Sequence, residues 1–124
     1  MINQVTLVGR LTKDPELTYT ALGRPFLQMT LAVNRPYRNQ QGMTETDFIY
    51  CKVWNKSAEN TSKYCQKGSL IGVLGTIQTR SYEDQEGKRI YATEVNVHTV
   101  RFLDKKRPNA ESEEGELLPI LNLP

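Results

Sequence analysis

Between Phe48 and Trp54 two kinds of side chain alternate: Ile49, Cys51 and Val53 on one parity, Phe48, Tyr50, Lys52 and Trp54 on the other. A strand with this pattern buries the small apolar residues and turns three rings and a cation outward. Two further rings keep basic company, Tyr37 within Arg35-Pro36-Tyr37-Arg38 and Tyr82 two residues after Arg80, and Lys56 follows Trp54 just as closely. Flat rings beside cations are what a single-stranded nucleic acid asks of a protein, since bases stack on the first and phosphates are neutralised by the second. The competing reading packs Phe48 and Tyr50 under long loops or in a subunit interface, and treats the charges as a solvated face. Tyr64 and Tyr91 follow the apolar pattern and are expected in the core.

Other chemistries lack their residues. Catalysis needs a positioned acid, base, nucleophile or metal; the chain offers one unpartnered histidine, His98, and short acidic pairs at Asp14/Glu16 and Glu45/Asp47 that read as a turn and a solvated strand face. No catalytic residue is assigned. Cys51 and Cys65 are fourteen apart without a C-x-x-C or a second histidine, so neither a zinc site nor a redox pair is expected, and both are read as buried free thiols. G-x-G-x-x-G and G-x-x-x-x-G-K-[ST] are absent, and no cofactor is expected.

The 124 residues are one domain's worth of chain, with a formal charge of only +2. The total hides a division. All sixteen basic residues lie at or before Arg107, giving residues 1–107 a net +6, whereas Glu111, Glu113, Glu114 and Glu116 leave residues 108–124 at −4. Such asymmetry suits a basic domain that holds a polyanion and an acidic interaction tail. A domain over 1–104 and a mobile tail over 105–124 are expected, the latter without periodicity. No apolar run approaches the ~18 residues of a membrane span. Met1-Ile2-Asn3-Gln4 lacks the basic start of a targeting peptide, so a cytoplasmic location is expected.

The elements that must position these groups follow from periodicity. Alternation predicts strands over 3–11, from about 26 to Arg35-Pro36, from Thr46 to Trp54, over 70–82 and over 89–102, the second and third joined by a long hairpin loop at 37–46. Gly72 and Gly75 mark bends or bulges in the fourth strand, which carries Ile71, Val73 and Ile77 on one face. Tyr91, Thr93, Val95 and Val97 share a face of the fifth. Spacing of three and four at Ala58, Thr61, Tyr64 and Cys65 predicts a helix over 57–66, capped by Ser57 and stopped by Gly68. Five strands with one short helix between the third and fourth is the all-β OB-fold barrel; an SH3-like barrel or an open sheet would fit the strand count but not the helix position.

Several segments together resemble the bacterial single-stranded DNA-binding proteins: Asn3-Gln4-Val5-Thr6-Leu7-Val8-Gly9-Arg10-Leu11-Thr12-Lys13-Asp14-Pro15-Glu16-Leu17, Thr30-Leu31-Ala32-Val33-Asn34-Arg35, Ala58-Glu59 with Lys67-Gly68-Ser69, Gln78-Thr79-Arg80-Ser81-Tyr82 and Tyr91-Ala92-Thr93-Glu94-Val95. The resemblance covers residues 1 to about 104. It implies an OB fold, a homotetramer, and sequence-tolerant binding of single-stranded DNA in replication, recombination or repair, with a nucleoid-associated cytoplasmic location. The family's stacking aromatics fall on Tyr37, Phe48, Trp54 and Tyr82. Its backbone-contacting cations fall on Lys56, Lys67 and Arg80, and more loosely on Arg10, Lys13, Arg35 and Arg38. Tyr50 stands where a basic residue is often found.

The tail departs from the family pattern of a long linker, an acidic run and a final Pro-Phe. Here Glu113, Glu114 and Glu116 precede Leu118-Pro119-Ile120, and the last residues are Leu123-Pro124. This implies an accessory paralogue of competence, plasmid or phage type, whose tail recruits replication or repair proteins or serves only as a solubilising end. Two other functions fit parts of the sequence: an OB-fold accessory factor that docks partners in a primosome or recombination complex, and an RNA-directed or catalytic OB protein, for which no catalytic group is present.

Overall fold

The structure, a computed structural model, describes residues 1–104. Its elements in chain order are β1 (Val5–Leu11), β2 (Leu17–Tyr19), β3 (Pro25–Arg38), β4 (Thr44–Trp54), α1 (Asn55–Tyr64), β5 (Leu70–Glu83) and β6 (Arg89–Phe102). The strands join in the order β1-β5-β6-β4-β3-β2, and β1 also pairs with β3. That second pairing closes five strands into a barrel and leaves β2 as a short flap on β3. All pairings are antiparallel except β4 with β6, where Cys51, Lys52 and Val53 lie beside Val95, Asn96 and Val97. Closure consumes the backbone donors and acceptors that an open sheet would leave at its edges.

The five strands read from the sequence are β1, β3, β4, β5 and β6. Three-residue β2, just after Asp14-Pro15, is too short to show a period, so the helix between the expected third and fourth strands follows the fourth strand of the structure. The barrel interior is the inward parity of each strand. Leu11, Leu27, Leu31, Val53, Ile71 and Val73 are buried to within 2% of complete, joined by Met29, Cys51, Val95 and Val97. Gly9 makes closure possible: a Cβ there would stand 2.6 Å from the Ala32 carbonyl oxygen, where β1 runs between β3 and β5.

Helix α1 plugs one end with Ala58 and Thr61, both fully buried, and the Thr61 hydroxyl donates to the Ser57 carbonyl at 2.8 Å. Its ends differ from expectation. Trp54 holds the N-cap position with extended backbone and no side-chain cap, so Ser57 lies inside the first turn. The helix stops at Tyr64, with the Cys65 N–H on the Thr61 carbonyl, while Gly68 instead donates to the Leu11 carbonyl and ties the following turn to β1. β4 runs directly into α1, so Trp54 rather than Ser57 takes the cap position.

Three aromatic or apolar positions expected inside are outside. Tyr91 and Ile77 do lie on the core-facing parity, but β5 and β6 run past the barrel wall as a two-stranded arm with no second layer beneath it among the described residues, leaving Tyr91 75% exposed and Ile77 46%. Tyr64, 64% exposed, rests beside Phe102 on the surface with ring centroids 6.0 Å apart. Cys51 is a buried thiol as expected, pushed up to about 12 by its burial; Cys65 is only half-buried, and burial together with the Asp104 charge moves it to about 11. The bend anticipated in β5 occurs at Gly75, whereas Gly72 pairs regularly with Arg101. Leu74 faces Thr99 and Gly75 faces Val97, so exposed His98 is the extra residue of a bulge in β6.

The tail residues Glu113, Glu114, Glu116, Leu118, Pro119 and Ile120 lie outside the described residues. No helix among those described is long and apolar enough to cross a membrane.

Candidate nucleic-acid interface

Cross-strand register assembles the site. In the β3–β4 hairpin Phe26 faces Trp54, Gln28 faces Lys52, Thr30 faces Tyr50 and Ala32 faces Phe48, all on the outward parity because Leu27, Met29, Leu31, Cys51 and Val53 take the inward one. Lys52 in turn lies beside Asn96 of β6, and from there the same parity continues through Glu94 and Ala92 to their β5 partners Gln78 and Arg80, and on to Tyr82 beside Ile90. One outward face across β3, β4, β6 and β5 thus carries Phe48, Tyr50, Trp54 and Tyr82 with Lys52 and Arg80. Phe48 and Tyr50 are about two-thirds exposed, too open to be packed under loops.

Trp54 is the most elaborated of these rings. Its centroid is 5.3 Å from that of Phe26, Lys52 Nζ stands 5.1 Å above it, and the Arg24 guanidinium lies over it at 4.0 Å. Lys52 is also 5.0 Å from the Phe26 ring. Phe26, Arg24 and Lys52 are absent from the residues assigned from sequence. Lys52 was legible as a cation alternating with the rings; Phe26 shows its place only through its register with Trp54. At the far end Arg80 lies 5.5 Å over Tyr82 and approaches Glu94 at 3.4 Å.

The remaining cations separate into groups. Lys56, on the first turn of α1, is exposed. Arg10 faces Ala32 across the β1–β3 pairing, adjoining Phe48, but donates to the Gly68 carbonyl at 2.9 Å and stands 3.8 Å from Asp104. Lys13 lines an open groove of about 500 Å³ that borders the face at Gln28 and Thr30 and is also lined by Asp14 and Glu16. Lys67 is exposed, its backbone N–H donating to Asp14 Oδ1 at 2.7 Å.

Arg35 is placed differently. Val33 faces Asp47, so Arg35, two residues on, and Asp47 share the parity opposite to the aromatic face. Arg35 donates to both Asp47 oxygens, at 3.0 and 2.9 Å, and to Glu45 at 2.7 Å. The Arg35 hydrogen bond holds the Asp47 carboxyl below the usual range, and the same bond and the two acidic charges raise the guanidinium further. The acidic pair Glu45/Asp47 is therefore a clamp that staples the hairpin. Beyond it β3 carries two residues more than β4 between Asn34 and Arg38, which takes Tyr37 out of simple alternation. Tyr37 is exposed, and Arg38 donates to the Gly42 carbonyl at 2.8 Å across the turn.

Two groups of rings and cations on one face of a closed barrel, Phe48 to Trp54 and Arg80 with Tyr82, can receive unstacked bases by their flat faces without reading their edges. Known proteins are similar to this chain. Residues 2–103 match the single-strand binding protein family. Single-stranded DNA-binding protein B of Bacillus subtilis is 59% identical over 106 residues, covering 86% of this chain and 94% of that protein. Single-stranded DNA-binding protein 3 of Listeria innocua is 56% identical over 89% of this chain and 69% of the relative, and protein A of Bacillus subtilis 50% identical over 93% of this chain. By the extent of these matches, the chain belongs to the single-strand binding protein family.

Proposed function

We propose that this protein binds single-stranded DNA without sequence preference, stacking bases on the outward face of β3, β4, β6 and β5 and neutralising phosphates with the cations that border it. It is a binding protein and not an enzyme. The observation that carries the reading is the register that sets Trp54, Phe26, Tyr50, Phe48 and Tyr82 on one face with Lys52 and Arg80 among them. Of the other cations, Lys56, Lys67 and Lys13 are exposed, and Arg38 and Arg10 are tethered to carbonyl oxygens; with exposed Tyr37 of the hairpin they extend the proposed interface. Residues 1–104 form the binding domain, assembled as a homotetramer, and residues 105–124 act as the segment that recruits replication, recombination or repair proteins. The location is cytoplasmic and nucleoid-associated.

Trp54 is the sole tryptophan, so its emission reports on the site. Titration with oligo(dT) quenches it, and Trp54→Ala weakens binding by about 5- to 150-fold, from ~1–3 kcal/mol per stacked base. The log-log salt dependence has a slope of about −0.7 per phosphate contacted. A flat salt titration, or unchanged affinity in Trp54→Ala, refutes the interface; preference for oligo(U) over oligo(dT) would redirect it to RNA. Light scattering with oligomers of graded length reads the assembly, and removal of residues 108–124 separates DNA binding, which persists, from partner capture, which is lost.

A further inference from the structure

The Trp54 platform is occupied in the free protein. Arg24, in the turn between β2 and β3, places its guanidinium 4.0 Å from the ring centroid, at the height a stacked base would take. It is held there: Arg24 Nε donates to Asn55 Oδ1 at 3.2 Å, and the turn that carries it is closed by the Thr20 N–H on the Arg24 carbonyl at 2.9 Å and by the Arg24 N–H on the Thr20 hydroxyl at 3.1 Å. Asn55 follows Trp54 directly and is the one non-glycine residue with positive φ among those described, at 57°. Asparagine tolerates that left-handed conformation better than most residues. Phe26 in tilted contact and the Lys52 ammonium at 5.1 Å also border the ring.

We propose that Arg24 is a removable cap on the Trp54 stacking face, positioned by Asn55, which an incoming nucleobase displaces and which then transfers its charge to the adjoining phosphate. The inference deepens the single-stranded DNA reading and rests on it. A guanidinium suits this task because its flat cation gains from the ring as a placeholder yet forms bidentate contacts with phosphate oxygens once moved. Arg24 therefore slows entry and strengthens the bound state, a different signature from that of a cation that only attracts the strand.

The test uses the full chain and Trp54 emission. Acrylamide quenching of the free protein rises in Arg24→Ala and in Asn55→Gly, the latter keeping the left-handed backbone while removing the acceptor; Arg24→Lys retains part of the protection. In stopped-flow mixing with oligo(dT), Arg24→Ala associates faster by about 2- to 5-fold, the population factor of an exposed cation–π contact. It also dissociates faster, and its salt slope is shallower by about 0.7, one phosphate contact. Equal acrylamide quenching in parent and Arg24→Ala overturns the cap; greater quenching with unchanged or slower association overturns its opposition to the base. Failure of the parent chain to bind oligo(dT) at all overturns the DNA reading itself, which the acrylamide comparison does not depend on.

Discussion

Gly75→Ala tests how the barrel aims its arm. A Cβ built on Gly75 runs into the Asn96 carbonyl oxygen and stands only 2.9 Å from both the Asn96 carbonyl carbon and Val97 Cα, all backbone atoms of the bulged segment of β6. Carbon atoms at van der Waals contact are about 3.5–4.0 Å apart, so at least ~0.6 Å of backbone displacement is required. No rotamer change relieves it. Overpacking of this kind costs about 1–3 kcal/mol, and a rigid backbone neighbour puts this site at or above the upper end. For a domain of roughly 100 residues, ~3 kcal/mol lowers Tm by about 12–24 °C. Gly72→Ala is the internal comparison: its nearest neighbours are 3.6 Å or more away, led by the end of the Leu103 side chain, so near-neutral stability is expected. Urea unfolding followed by far-UV circular dichroism at matched concentration measures both. Because Arg80 and Tyr82 lie on the arm beyond Gly75, the Gly75 variant also loses DNA affinity while folded. The reasoning fails if Gly75→Ala costs less than about 1 kcal/mol or if the two glycine variants are equally destabilised.

Two further outcomes depend on titration. The folded protein keeps Cys51 protonated to about 12, above its ordinary value of 9.0, so stability is intact below pH 9 and declines as pH rises toward 12. The slope is up to about 1.4 kcal/mol per pH unit, and Cys51→Ala removes its share; a thiol reagent at pH 8 modifies half-buried Cys65 before Cys51. Asp47 is held below its ordinary 3.8, so the clamp on Arg35 persists as pH falls through 3.8 and is released below it, visible as late loss of the Arg35 Nε–H resonance. In Asp47→Asn the guanidinium keeps its Glu45 partner and stays on the parity opposite to the rings, so the salt slope of DNA binding is unchanged; a slope steeper by about 0.7 would show that Arg35 reaches a phosphate.

The alternation of Phe48, Tyr50, Lys52 and Trp54 with Ile49, Cys51 and Val53 determined the site's central strand in advance, because period two on a half-buried strand leaves one parity for the core and one for solvent. The family motifs and the division of charge at Arg107 were equally legible. Tertiary structure decided what lies beside each ring. Phe26 and Arg24 joined Trp54 through register and turn geometry, which no local pattern encodes. Arg35 has the composition of a phosphate ligand, yet strand parity turns it toward Glu45 and Asp47 and away from the aromatic face. Tyr91 keeps core periodicity on an arm where no second layer among the described residues covers it. Sequence specifies parity along a strand; which neighbour stands across it, and whether anything covers the face, is settled only when the barrel closes.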